Sequence, residues 1–142
     1  MTRIDFYSNA ESRLHTVCQL VAKAFSQRIP VAVFAPDPQT ARTLDRQLWT
    51  FQATSFVPHC LAQESVAHET PILIVSRLEQ AQHDELVVNL AEECPPAFSR
   101  FKRLIEVVGR EEEERRAARL RWRFYKERGY EVKHIELGSP PS

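Results

Sequence analysis

Pro30-Val31-Ala32-Val33-Phe34-Ala35-Pro36-Asp37-Pro38 is the stretch that decides the fold class. Val31 to Ala35 is a continuous apolar run rather than an alternating one, as a strand covered on both faces requires. Asp37 followed by Pro38 is a helix-start pair: a carboxylate that can accept an N–H of the first turn, then a residue whose missing N–H costs nothing there. The helix it opens is predicted to run to about Trp49 and to bury Ala41, Leu44 and Leu48. On the other side, Leu14, Val17, Cys18, Val21 and Phe25 fall on one helical face. They predict a helix over about residues 10–28, with Asn9 as its cap and Pro30 as its stop. Ile4 to Tyr7 (IDFY) reads as a first short strand ahead of it.

Further out, Phe56 to His59 suits a short edge strand, because Pro58 cannot donate to a central ladder. Ile72 to Val75, Leu86 to Leu90 and Arg103 to Val108 are three more strands, and Tyr130 to Leu137 is a last one. Glu111 to about Arg128 is a long helix, with Gly129 as its C-terminal stop. This alternation predicts one α/β domain over residues 1–137, a sandwich with a largely parallel, mixed central sheet flanked by helices. Residues 138–142 (GSPPS) are expected to be a flexible tail.

The chain of 142 residues has the length of one domain. It shows no run approaching the ~20 apolar residues of a membrane helix and no apolar run at the N-terminus resembling a signal peptide. A cytoplasmic protein without membrane contact is the expectation. Cys18, Cys60 and Cys94 are widely spaced and odd in number, which points to free thiols and to no metal site. The net charge is zero, so the molecule as a whole has no electrostatic reason to coat DNA. That zero hides a separation. Residues 115–128 hold seven basic side chains against Glu127 alone, a net +6, while residues 61–94 hold seven acids against Arg77, a net −6.

Enzyme chemistry finds little support. Phosphate loops need glycines where the backbone approaches the anion, and the three glycines here, Gly109, Gly129 and Gly138, form no such loop. No nucleophile elbow occurs, and the five histidines at 15, 59, 68, 83 and 134 lack ligand spacing. Glu92 and Glu93 form no convergent acid–base pair. Neither a catalytic residue nor a cofactor is predicted.

Two surfaces read instead as binding sites. In the long helix, Glu111–Arg115 and Glu112–Arg116 are expected as i, i+4 pairs. Arg115, Arg119 and Arg123, however, share one stripe, so arginine precedes arginine by one turn. Like charges at that spacing repel, and with Trp122 adjacent the stripe suits a partner that is acidic and partly apolar, such as a peptide tail. Single-stranded nucleic acid is the rival ligand. Leu120 and Phe124 are expected to face the core. The second surface is residues 48–59, where Trp49, Phe51 and Phe56 crowd a helix end and a loop. Aromatic clusters of this kind anchor protein interfaces or cap a core.

The order of Phe6-Tyr7, LDRQLW (Leu44–Trp49), SFVPH (Ser55–His59), ILI (Ile72–Ile74), FSRFKRLIEVV (Phe98–Val108) and ARLRWRFYKERGY (Ala118–Tyr130) resembles the chi subunit of bacterial DNA polymerase III, from about Ile4 to Lys133. The resemblance implies a nucleotide-binding-like fold without nucleotide chemistry, in an accessory subunit that is not itself an enzyme. It implies two partners and an indirect link to DNA. One is the psi subunit, whose contact maps onto Trp49 and Phe56, with Phe51 between them. The other is the acidic C-terminal tail of single-stranded DNA-binding protein, which ends in a phenylalanine carboxylate. That contact maps onto Val108, Arg119, Trp122 and Arg123, with Arg115 and Gly129. Arg123 and Trp122 stand where better-known members carry lysine and tyrosine, which keeps the charge and the ring but alters hydrogen-bonding detail. The stretch between His59 and Pro71 is short compared with some relatives. Some relatives use the tryptophan surface for a repair helicase, an alternative partner to psi.

Overall fold

The computed structural model describes residues 1–50, 59–61 and 71–138. Seven strands form one sheet: β1 (Arg3–Ala10), β2 (Val31–Phe34), β3 (His59–Leu61), β4 (Ile72–Val75), β5 (Leu86–Asn89), β6 (Arg103–Gly109) and β7 (Val132–Glu136). Their order is β3-β4-β2-β5-β6-β1-β7. Every pairing among the described residues is parallel, so the expected antiparallel admixture does not occur there. Of the strand predicted at Phe56 to His59, only His59 is among the described residues, and it opens β3. β3 holds an edge, the place expected for that strand, while residues 56–58 lie outside the described residues.

Parallel strands need covering on both faces, and the side-chain period of two divides the core accordingly. Val31, Val33, Ile72, Ile74, Leu86, Val88, Ile105 and Val107 pack on one side against α1 (Arg13–Ser26) and α2 (Pro38–Thr50). Ile4, Phe6, Ala32, Phe34, Leu73, Val75, Val87, Leu104 and Val108 face the other side. There α3 (Glu112–Glu127) contributes Ala118 and Tyr125, and two short 3-10 turns contribute Leu78 and Phe98. Fully burying side chains of this size stabilises by roughly 1.5–3 kcal/mol each.

Asp37 caps α2 as predicted, accepting from the Thr40 N–H at 3.2 Å. Asn9 does not cap α1; Ser12 does, its Oγ accepting from the His15 N–H at 3.2 Å. The reason is that β1 continues to Ala10 through an irregularity after Tyr7, with Asn9 in the left-handed region at φ 61°. The Asn9 side chain is spent on the other end of the fold, donating from Nδ2 to the Leu137 carbonyl at 2.9 Å. Gly129 ends α3 at φ 84°. The Tyr130 N–H bonds the Tyr125 carbonyl and the Gly129 N–H bonds the Lys126 carbonyl, the paired bonds of a left-handed helix stop.

Candidate functional site

The rotation of α3 about its axis is set by an acid on the sheet. Glu106 is 0% exposed, in the middle of β6, and a carboxylate there must be paired or become protonated. Its partners come from two elements, α3 and β5. The Arg121 Nε donates to Oε1 at 3.0 Å, the Tyr125 hydroxyl donates to Oε2 at 2.6 Å, and the Asn89 amide donates to both oxygens at 3.1 and 3.0 Å. Asn89 stands directly opposite Glu106 on β5. Burial pushes the Glu106 carboxyl up, while Arg121, Tyr125, Asn89 and Arg13 oppose the rise. Burial also raises the Tyr125 phenol, which keeps it a neutral donor. Arg121 further donates to the Glu92 carbonyl at 2.8 Å.

This clasp overturns one expectation. Ala118, Arg121 and Tyr125 are the buried residues of α3, so Leu120 is turned out and is 62% exposed. Phe124 does pack against the core as expected, half-buried with its ring 5.8 Å from that of Tyr125 and the Arg128 guanidinium 4.0 Å from its centroid. Apolarity alone favoured Leu120 for the interior; the buried Glu106 demands a cation, and Arg121 takes the buried place instead. The predicted pairs Glu111–Arg115 and Glu112–Arg116 are absent among the described residues. Glu112 instead bonds Arg119 at 2.9 Å and lies 3.9 Å from Arg115.

With α3 so turned, Trp122 leans on Phe6 of β1, ring centroids 5.2 Å apart and edge to face. A groove of about 680 Å³ opens beside the indole. Phe6, Val108, Ala118 and Trp122 supply its apolar wall, and Arg110, Arg115 and Arg119 its cations. Ser8, Asn9, His134 and Glu136 close the side toward β7. Of the predicted residues, the structure brings together Val108, Arg115, Arg119 and Trp122. Arg123 is exposed on α3 and Gly129 lies beyond its end, and neither lines the groove. Glu112 is the acid that answers the stripe, and it is 63% exposed while shared between two guanidinium groups. Its bond to Arg119 holds its carboxyl below the usual range.

Sequence reasoning missed Phe6, Ser8, Asn9, Arg110, His134 and Glu136. They come together only because β1 lies between β6 and β7. At the other site, Trp49 is 56% exposed on α2 next to the buried Leu48. Phe51 and Phe56 lie outside the described residues.

The family model of the DNA polymerase III chi subunit, HolC, matches residues 1–133. The chain belongs to that family. A DNA polymerase III subunit chi of Pseudomonas aeruginosa is 36% identical over 141 residues, covering 96% of this chain and 98% of the relative. Those of Haemophilus influenzae and Escherichia coli are 28% and 26% identical, covering 94% and 92% of this chain and 96% and 88% of theirs. In fold, the chain is similar to the C-terminal domain of S. cerevisiae Dbp5, solved with Gle1 and IP6, at a TM-score of 0.63. That likeness covers 97% of this chain and 92% of the other, and at 10% identity it speaks for the architecture alone. As a chi-family member, the protein is an accessory subunit of DNA polymerase III in DNA replication. No helix among the described residues is long and apolar enough to cross a membrane.

Proposed function

We propose that the protein is a non-catalytic bridge within the replication machinery, and that the groove beside Trp122 captures the acidic C-terminal tail of single-stranded DNA-binding protein. The observation that carries this reading is the pairing of an apolar wall with arginines that share one exposed carboxylate. The tail's phenylalanine ring enters against Val108 and Trp122, while its terminal carboxylate and aspartates displace Glu112 from Arg115 and Arg119. Glu112 gives way because an exposed ion pair contributes only about 0.2–1 kcal/mol. On the opposite layer, the exposed Trp49 of α2 supports a second contact, with the psi subunit, so one small domain joins the clamp loader to the coated strand.

The test is titration of a fluorescent peptide with acidic residues and a C-terminal phenylalanine. Arg119→Ala is expected to weaken binding by about three- to tenfold, between the ranges for exposed pairs and for charged hydrogen bonds, and added salt to weaken it further. Unchanged affinity in Arg119→Ala and Trp122→Ala would reject the groove. Tight binding of a naked oligonucleotide would favour direct contact with single-stranded DNA. Trp49→Ala is expected to abolish the psi complex and spare the peptide.

A further inference from the structure

Arg110 and Asn9 line both the groove beside Trp122 and a second groove of about 750 Å³ at the start of α1, and Arg110 is the charged one of the two. The second groove is polar, bounded by Glu11, Ser12, His15, Gln19 and Gln47. Unlike Arg119, Arg110 takes part in none of the ion pairs formed among the described residues. It is nevertheless braced. Its Nε donates to the Asn9 Oδ1 at 3.0 Å, and Asn9 is itself anchored by the 2.9 Å bond to Leu137. The chain passes close by at Gly138, where the position of a Cβ is 3.6 Å from both the Arg110 Nη2 and the Asn9 Nδ2. An arginine held by Nε keeps its terminal nitrogens for another acceptor, and a cation already oriented loses less freedom on binding.

We infer that Arg110 is a further anion-binding residue of this site, which takes a carboxylate upstream of the peptide's terminal residues and directs the peptide toward the second groove. The inference rests on the tail-capture reading and adds to it a length dependence. The occupant is an acidic peptide because the cations of the first groove, Arg110, Arg115 and Arg119, outnumber its one acid, Glu136, and the apolar wall gives a hydrophobic terminus its place. Glu11 across the second groove repels acids on that side, so Arg110 itself, at the junction, is where the upstream carboxylate is held.

The experiment uses the full chain and two labelled peptides, both ending in phenylalanine with a free carboxylate. One has four residues, and the other has nine with aspartates in its upstream half. Arg110→Gln is expected to weaken the longer peptide by about three- to tenfold and to leave the shorter one unchanged, and Arg110→Lys to recover part of the loss. Circular dichroism confirms that the variants stay folded. An unchanged affinity for the longer peptide overturns the inference while tail capture stands. An equal loss for both peptides also overturns it, because Arg110 would then act within the terminal site. If the unmodified protein binds neither peptide, the inference falls together with the reading it rests on.

Discussion

Replacing Arg121 by methionine is the perturbation that asks most of the structure. The variant keeps much of the aliphatic volume of the side chain but removes the cation from a carboxylate with no exposure to solvent. Tyr125 and Asn89 remain as donors to Glu106, so the acid is solvated in part. Breaking a buried pair from one side costs about 3–5 kcal/mol. Against a total stability of roughly 7–20 kcal/mol for a chain of this length, that is a large fraction. With an unfolding entropy of about 2.1 cal/mol/K per residue, the loss amounts to a fall in Tm of roughly 10–17 °C. The pH dependence carries a sign that a packing defect lacks. Without Arg121 the folded-state pKa of Glu106 rises further above its unfolded value. The charge part of the deficit is therefore absent while Glu106 is protonated in both folded proteins, and it grows as pH rises from the already raised folded pKa of the unmodified protein toward the higher one of the variant. Urea unfolding at pH 5 and pH 7.5 is the assay, with Arg121→Met/Glu106→Gln as the neutralised control. The deficit is expected to be smaller at pH 5, and the double variant to be more stable than the single one at pH 7.5. A loss of under about 1 kcal/mol, or the same loss at both pH values with no recovery in the double variant, would refute the claim that this charge pair fixes α3.

Two other perturbations separate binding from structure. Glu112→Gln removes the acid that occupies Arg119 and Arg115; acidic-peptide affinity is expected to rise by about two- to fivefold at low salt, and a fall in anisotropy titrations would show that Glu112 assists the ligand instead of competing with it. Gly129→Ala places a side chain at φ 84°, with no atom within 4 Å of the new Cβ. The strain of a left-handed residue costs about 1 kcal/mol. Denaturant unfolding is expected to register that loss, with peptide affinity unchanged, because Gly129 stops the helix and does not line the groove.

Where the sequence was legible, one dominant requirement governed the segment. Val31 to Ala35 had to be a two-sided strand, and Asp37-Pro38 had to begin a helix, because few other environments accept those residues. The stripe of Arg115 and Arg119 with Trp122 was legible for the same reason, since it repels itself unless something answers it. Failures came where a partner distant in sequence decided the matter. Nothing near Leu120 shows that it faces water; that follows from Glu106, 14 positions earlier, recruiting Arg121. Asn9 resembles a cap, yet it is claimed by Leu137 and Arg110, the residues that follow β7 and β6. The β7 side of the groove depends on strand order, and strand order is written in no local pattern.

The charge surplus of α3 resolves into two populations with different physical duties. Arg121 is committed to the interior, where its counter-charge Glu106 is inaccessible to any competitor. Arg128 lies over the Phe124 ring. Arg115 and Arg119 share Glu112, at 3.9 and 2.9 Å, on a side chain that is mostly in water. One carboxylate cannot neutralise two guanidinium groups, and at that exposure it holds neither firmly. The geometry therefore separates a fixed cation, which orients the helix, from displaceable ones, which face a hollow beside an indole. Had Glu112 been buried like Glu106, displacing it would have cost several kcal/mol, and the same arginines would have served only the fold. The difference in burial between two glutamates is what leaves this face of the helix open to a partner.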